Sequence, residues 1–253
     1  MTHESFNRAV LACMLVCAGA AGVSPSVVYA QAAPLEEGGV MIWGALGFQG
    51  DFGGNLNSSG VGVLNGRRAE LDANSWGERY DPGLVFKAGG AYNLTGDAQL
   101  TGSFGWEQAE SDTAEAGLLA GVPIEVGFSD YQAWGFDIGY RQFLATSYTA
   151  RPFVGGAIGF QHVDAITMDM RSIAGLAVTE LPFYDDSWVV QWRIGTGLLW
   201  DISERFGAQV TIDLRYTGAL SDVSGIGTLG FERINDQGNR WTFPVLVGAF
   251  VKF

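Results

Sequence analysis

The last thirteen residues of the chain, Trp241 to Phe253, alternate between two kinds of side chain. Every second residue from Trp241 onward is aromatic or aliphatic, and the other face consists of Thr242, Pro244, Leu246, Gly248, Phe250 and Lys252. Because successive side chains of a β-strand point to opposite faces, one face of this segment is a continuous apolar stripe that begins and ends with an aromatic residue. That pattern predicts a strand that crosses a lipid bilayer, with an aromatic residue at each interface.

The same alternation recurs upstream, so the last strand is one of a set. The other segments are Val40–Gln49, Leu84–Tyr92, Leu100–Trp106, Trp134–Tyr140, Arg151–Val163, Trp188–Trp200 and Phe206–Tyr216, of which Val40–Gln49 and Arg151–Val163 alternate less clearly. These segments mark the clearest parts of about eight strands of roughly 10–13 residues, the length that a tilted transmembrane strand requires. Short turns at Leu94–Asp97, Ala145–Tyr148 and Asp201–Glu204 alternate with long polar segments at about 50–80, 109–129, 164–187 and 218–240.

The composition favours a membrane strand protein over a membrane helix protein. The chain has 37 glycines, 13% aromatic and only 16% charged residues, and its body has no apolar run as long as a membrane-spanning helix needs. We expect an aromatic girdle at the membrane interfaces. Its predicted members are Trp106, Trp134, Trp188, Trp200 and Tyr216.

Backbone chemistry then predicts the architecture. Hydrocarbon cannot hydrogen-bond to an unpaired N–H or C=O group, so a sheet that spans a bilayer must close on itself. We predict an all-β, transmembrane, antiparallel up-and-down barrel of about eight strands. It should have four long extracellular loops, short periplasmic turns and a closing pair between Val40–Gln49 and Trp241–Phe253. The alternative is a soluble β-sandwich or lipocalin-like barrel, whose apolar face would point inward.

Charged residues lie opposite the apolar stripes and should therefore face the lumen. They are Lys87, Glu107, Asp137, Arg141, Arg193, Asp213 and Arg215. Buried charges need partners, so these residues predict a structural ion-pair network that plugs the barrel. A selective ion path is the alternative, although an eight-stranded lumen is only wide enough to be filled by side chains.

The N-terminus resembles an export signal. Arg8 precedes an apolar stretch from Ala9 to Val23, and Val28-Tyr29-Ala30 is a small-x-small cleavage signal. We therefore predict a cleaved signal peptide at 1–30, a short periplasmic segment at 31–38 and the barrel at 39–253. Both cysteines, Cys13 and Cys17, lie in the signal, so the mature chain should have no disulfide and no cysteine metal site. A membrane anchor or a lipid-modified cysteine is the alternative.

The net charge of −13 argues against nucleic-acid binding. Acidic residues are concentrated in residues 109–130 and 164–187, where they favour solvation of exposed loops. Weak divalent-cation binding that bridges to lipopolysaccharide is the functional alternative, because Ca²⁺ prefers carboxylate oxygens. The literal G-x-G-x-x-G match at Gly225–Gly230 lies in a long loop and not between a strand and a helix, so it predicts no nucleotide site.

Three segments resemble known outer-membrane proteins. The C-terminal strand with its final Phe253 is similar to their C-terminal signature, whereas Arg151–Phe160 and Asp213–Tyr216 resemble strands of small OmpA-type and OmpX-type barrels. The resemblance implies an exported protein of the Gram-negative outer membrane that contacts outer-membrane lipids and lipopolysaccharide. It also implies that the last strand is read by the barrel-assembly machinery through Trp241, Phe243, Val245, Val247, Val251 and Phe253.

The sequence indicates a scaffold or surface-interaction role more than a chemical one. We expect a non-enzymatic monomer without cofactor or metal that supports membrane integrity, adhesion or ligand contact through its loops. A small porin is the first alternative. A lipid hydrolase at the barrel rim is the second, with His162, close to Asp164, as its candidate base, although no G-x-S-x-G motif accompanies it.

Overall fold

The computed structural model describes residues 35–64, 66–144, 149–172, 179–223, 229–231, 233–236 and 238–253. Its elements are β1 (Val40–Gly53), β2 (Asn55–Asn57), β3 (Gly60–Leu64), β4 (Arg67–Leu71), β5 (Asn74–Ser75), α1 (Trp76–Arg79), β6 (Gly83–Thr95), β7 (Ala98–Ala109), β8 (Ala114–Leu119), β9 (Val122–Phe128), β10 (Tyr131–Phe143), β11 (Ala150–Val163), β12 (Ile166–Ser172), β13 (Thr179–Asp185), β14 (Ser187–Asp201), β15 (Phe206–Thr217), β16 (Ser221–Asp222) and β17 (Arg240–Lys252). The signal-peptide prediction and the turn at 145–148 fall outside the described residues.

Eight of these strands form a closed antiparallel barrel. Around the barrel the order is β1, β17, β15, β14, β11, β10, β7 and β6, which returns to β1. The prediction of an eight-stranded, up-and-down barrel is confirmed. The predicted closing pair is confirmed too, because β1 pairs with β17 in a register that places Leu46 opposite Val247.

The barrel wall keeps the alternation read from the sequence, with apolar side chains on the outer surface. Ile138 and Ile158 are 66% and 63% exposed, and Val247 is 59% exposed. Their sequence neighbours point into the barrel, as Asp137 does at 6%. Because these apolar side chains are exposed on every barrel strand, the outer wall of the molecule is largely hydrocarbon.

Seven shorter strands form a second sheet, here called the cap sheet, in the order β16, β13, β12, β9, β8, β4 and β3. Along the chain, each cap strand precedes or follows one barrel strand. The order of the cap strands in their sheet is therefore the same as the order of these barrel strands around the barrel, which is β15, β14, β11, β10, β7, β6 and β1. The cap sheet therefore extends the barrel wall on seven of its eight sides. The long polar segments are thus not irregular loops throughout, because these strands within them are ordered by pairing with their neighbours.

The cap has its own apolar core beneath the cap sheet. Trp76, Phe183 and Ile166 are at most 1% exposed, and the same cluster contains Tyr131 and Val163 from the upper ends of barrel strands. Phe231 and Ile234 join this core from the segment between β16 and β17. That segment approaches the open side of the cap sheet, where the Ser58 amide donates a hydrogen bond to the Ile234 carbonyl. The cap core is thus continuous with the upper interior of the barrel.

The described part of the chain contains no helix that is long and apolar enough to span a membrane. Its one short helix, α1, is only four residues long and begins after Ser75. The backbone amide and the hydroxyl of Ser75 both donate hydrogen bonds to Glu78, at 2.7 and 2.8 Å. These bonds satisfy groups that a helix start leaves unpaired and hold the pKa of Glu78 below its usual range.

Candidate functional site

The barrel interior consists of three layers. The cap core fills the end next to the cap, a layer of charged side chains lies below it, and a second apolar cluster fills the opposite end. The lower cluster includes Trp43, Phe143, Phe153, Leu246 and Phe250, each at most 4% exposed. The charged side chains predicted to plug the lumen occupy only its middle layer. Inward-facing aromatic residues near the strand ends supply the rest.

One ion-pair group of the middle layer is centred on Asp137. The Lys87 ammonium lies 2.9 Å from one carboxylate oxygen, and the Ser103 hydroxyl donates to the other at 2.7 Å. Arg193 bridges Asp137 and Asp213, at 3.1 and 3.2 Å. Four residues from four strands, β6, β10, β14 and β15, thereby link opposite parts of the wall through charge-assisted hydrogen bonds.

A second group is centred on Glu107. This carboxylate accepts hydrogen bonds from Arg215 and from the Gln161 amide, and Arg240 lies 3.7 Å away. Arg240 also holds both carboxylate oxygens of Asp51. Its guanidinium stacks 4.1 Å from the Tyr131 ring centre and 5.3 Å from that of Trp76. Arg240 therefore joins the charged layer to the cap core above it.

The seven lumen charges predicted from sequence all lie inside the barrel, but they are not one network. Six of them fall into the two groups, whereas Arg141 is separate. Arg141 donates to Gln209 at 3.5 Å and lies against the rings of Trp43 and Phe153, with ring centres 5.3 and 4.8 Å away. These two rings belong to the lower apolar cluster, so Arg141 marks the boundary between the charged layer and that cluster.

Sequence reasoning missed Arg240 and Asp51, the pair that connects barrel and cap. Both carry a signal that could have been read. Arg240 directly precedes the outward-facing Trp241, so its side chain points into the barrel on β17. Asp51 lies two residues after the inward-facing Gln49 on β1, so its side chain points inward as well. Both residues lie just beyond the clearest apolar alternation, which begins at Trp241 on β17 and ends at Gln49 on β1.

The space left inside the charged layer is small. A cavity of about 10 Å³ is bordered by Lys87, Glu107, Asp137, Gln161 and Arg215, among other residues. That volume holds about one water molecule. The described lumen is therefore closed at this level by side chains.

The five predicted girdle residues lie on the outer surface in two bands. Trp106, Trp134 and Trp188 occupy the cap end of their strands, where Trp134 and Trp188 pack with ring centres 4.9 Å apart. Tyr216 lies at the same end beside Trp241, with ring centres 4.9 Å apart. Trp200 is 58% exposed at the opposite end.

His162 lies on the outside of the barrel, within the cap-end aromatic band. Its ring stacks on Trp134 at 5.5 Å and meets Trp188 edge-on at 5.3 Å. Its two nitrogens face carboxylates, with Nδ1 3.6 Å from Asp164 and Nε2 3.5 Å from Asp186. In the described residues no hydroxyl group hydrogen-bonds to this imidazole, which is the contact that activates a serine nucleophile.

The six residues of the proposed assembly signal form the outward stripe of β17 and its terminus. Phe253 is the most exposed of the six, with 75% of its surface accessible. Leu246 and Phe250, at intervening positions of the same strand, point into the lower apolar cluster. The Phe253 amide donates to the Val40 carbonyl at 2.8 Å, and the Val40 amide donates back at 3.3 Å. The barrel seam is thus paired up to the last residue.

No protein-family model matches the chain, and no curated protein sequence matches it. Solved structures of outer-membrane proteins are similar at low level. Neisserial surface protein A is 10% identical with a TM-score of 0.45, and Ail, the attachment invasion locus protein of Yersinia pestis, is 11% identical with a TM-score of 0.42; each match covers 86% of this chain and 100% of the other. The outer-membrane protease OmpT from Escherichia coli is 11% identical with a TM-score of 0.41, over 90% and 100% of the two chains. Likenesses this low carry no argument about function.

Proposed function

We propose that this chain is an outer-membrane β-barrel of a Gram-negative bacterium with a structural and surface-interaction role. The barrel anchors the folded cap at the cell surface and does not conduct through its lumen. The observation that carries the proposal is the layered interior: a charged layer enclosed between two apolar layers, beneath a cap that has its own core.

The outer wall supports the membrane assignment. A soluble monomer rarely exposes a contiguous apolar surface of more than a few hundred Å², whereas apolar side chains are exposed here on all eight barrel strands. Trp188 belongs to the aromatic band at the cap end and Trp200 to the band at the opposite end, and the two residues are twelve positions apart on β14. At about 3.3 Å per residue and a tilt of about 40° the bands are separated by roughly 30 Å, close to the apolar band of an outer-membrane barrel.

The connections support an orientation. At the end away from the cap, neighbouring strands are joined by short connections such as Gly96-Asp97 and residues 202–205. In outer-membrane barrels short turns lie on the periplasmic side and long connections outside. The positions of the short connections support an orientation with both ends of the barrel domain in the periplasm and the cap at the cell surface. It agrees with the predicted signal peptide at 1–30 and with contacts to outer-membrane lipids, lipopolysaccharide and the barrel-assembly machinery.

The lumen argues for the scaffold role over the small-porin alternative. A conducting path needs continuous water, and open channels are formed by barrels with many more strands. Here the charged layer leaves room for about one water molecule, and Trp43, Phe143 and Phe153 are packed below it. The rim-hydrolase alternative has less support still, because His162 contacts carboxylates and indole rings.

Two measurements test the proposal. Protein from the outer-membrane fraction should migrate faster on a denaturing gel when unheated than when boiled, because a closed barrel resists detergent. In planar lipid bilayers the same protein should give no steady single-channel openings. Reproducible openings of one conductance would overturn the scaffold role in favour of the porin, and absence from the outer-membrane fraction would overturn the localisation.

A further inference from the structure

The outer face of the cap sheet carries carboxylates that its own strand pairing brings together. Glu115 on β8 is directly opposite Glu125 on β9, and Asp169 on β12 is directly opposite Glu180 on β13. Directly opposed like charges destabilise an antiparallel pair. None of these four carboxylates has an ion pair within 4 Å among the described residues, and Arg171 is the one cation in their midst, opposite Glu125.

Apolar side chains continue the same face toward the edge of the cap sheet. Val61 and Val63 on β3 are each 53% exposed, and Leu118 on β8 is 38% exposed. The register places Glu70 between Val61 and Leu118, and Arg68 opposite Val63, so the two valines and the leucine share the outer face with the exposed Arg68–Glu70 ion pair. The core-facing neighbours on these strands, Leu64 and Ala69, are buried, so the valines and the leucine are not needed for the cap core.

We propose that this face, made of Glu115, Glu125, Asp169, Glu180, Val61, Val63 and Leu118, binds a basic amphipathic polypeptide segment. The inference rests on the proposed function, because it names the partner of a cap held at the cell surface. Basic side chains would neutralise the two opposed carboxylate pairs, and apolar side chains would cover the exposed valines and leucine.

The spacing of the carboxylates argues for a polypeptide and against a single metal ion. Glu115 and Glu180 are separated by three strand spacings, or about 14 Å, at about 4.8 Å per spacing. One ion contacts oxygens at about 2.3–2.6 Å and cannot join groups so far apart. No cluster of three metal-binding side chains occurs in the described ranges. A metal ion would also gain nothing from Val61, Val63 and Leu118, whereas an amphipathic segment would.

The face extends over six strands, from β13 to β3. Five strand spacings amount to about 24 Å, the length of about 16 residues of α-helix. A helix of that length with basic side chains along the part over β13 to β8 and apolar side chains at the end over β8 to β3 therefore matches the face in length and in the order of charge and hydrocarbon. The net charge of −13 adds a long-range electrostatic field that attracts a positively charged polypeptide.

The experiment uses the full chain in nanodiscs of zwitterionic lipid. The probe is a fluorescent peptide of about 18 residues, with lysine and alanine in its first two thirds and leucine and alanine in its last third, and its counterpart with glutamate in place of lysine is the control. Fluorescence anisotropy should show saturable binding of the lysine peptide only. Raising NaCl from about 50 to about 300 mM should weaken binding strongly, since rim charges are screened.

Matched variants locate the site. The triple variant Glu115→Gln, Glu125→Gln and Glu180→Gln should bind about tenfold more weakly, as expected when three exposed ion pairs are lost. The control variant Glu36→Gln, Glu37→Gln and Glu204→Gln changes net charge equally at the other end of the barrel and should bind as the unmodified chain does. Equal weakening in both triple variants would show a nonspecific charge effect and overturn the proposal.

Two further outcomes separate the hypotheses. If Ca²⁺ alone binds the unmodified chain saturably and the Glu115, Glu125 and Glu180 changes abolish it while the peptide fails to bind, the occupant is an ion and the proposal is wrong. If the peptide fails to bind to protein that is heat-modifiable and non-conducting, the partner inference fails while the proposed function stands. Protein that forms no heat-modifiable barrel would instead refute the proposed function.

Discussion

Glu107 is the residue whose replacement tests the charged layer most directly. Its carboxylate is 2% exposed, accepts hydrogen bonds from Arg215 and Gln161, and lies 3.7 Å from Arg240. The change Glu107→Gln keeps the size and removes the charge. Arg240 would retain Asp51, whereas Arg215 would retain only the neutral groups of Gln49 and Thr242.

The expected loss in the free energy of unfolding follows from the Arg215 guanidinium, which would be buried without a carboxylate partner. Breaking a buried ion pair by removing one partner costs about 3–5 kcal/mol, because the other charge is left without compensation. Replacing both partners, as in Glu107→Gln with Arg215→Gln, leaves no buried charge at this position, and we expect a loss of about 2 kcal/mol or less. The double variant should therefore lose at least about 1 kcal/mol less than the sum of the single losses.

The assay is urea unfolding of the chain in lipid vesicles, followed by fluorescence of its eight tryptophans. The control is Glu70→Gln, which breaks an exposed pair with Arg68 and should cost at most about 1 kcal/mol. A loss of under about 1 kcal/mol for Glu107→Gln, or strict additivity in the double variant, would refute the reasoning that this layer is an energetically coupled network.

Three further predictions concern the wall, the lumen and the cap. Ile138→Arg, on the outer face, should cost about 2–4 kcal/mol in lipid vesicles, whereas the same change at the exposed Ser59 of the cap should be neutral; equal effects would contradict the membrane assignment. Gly159→Ala should prevent formation of the heat-modifiable barrel, because the new Cβ would lie 1.9 Å from the Phe136 carbonyl oxygen, whereas Gly102→Ala, with nothing within 4 Å, should fold normally. The lowered pKa of Glu78 means that its carboxylate stabilises the cap above the unfolded-state pKa and loses this effect as pH falls through the folded pKa. The stability difference between the unmodified chain and Glu78→Gln, measured by unfolding between about pH 6 and 3, should therefore shrink with acid, and a constant difference would exclude this role.

The sequence alone determined the barrel wall. Alternation with a period of two is a local property of a strand, since each residue takes the face opposite its neighbour. Eight such segments, the seam between β1 and β17, and the inward direction of residues such as Lys87 and Asp137 could be read without knowing which strands pair. Hydrocarbon cannot satisfy the open edges of a sheet, so closure followed from the same pattern.

Only the tertiary structure decided how the interior is divided. The alternation of side chains along β10 shows that Arg141 and Asp137 point inward. Only the stagger between strands decides that Arg141 contacts Trp43 and Phe153 instead of a carboxylate. The cap was hidden for a related reason. Its strands are short and polar on one face, and their apolar positions acquire meaning only when seven strands from different segments share one core. Periodicity within a segment carries no information about partners more than a hundred residues away, as the contact between Glu107 and Arg215 shows.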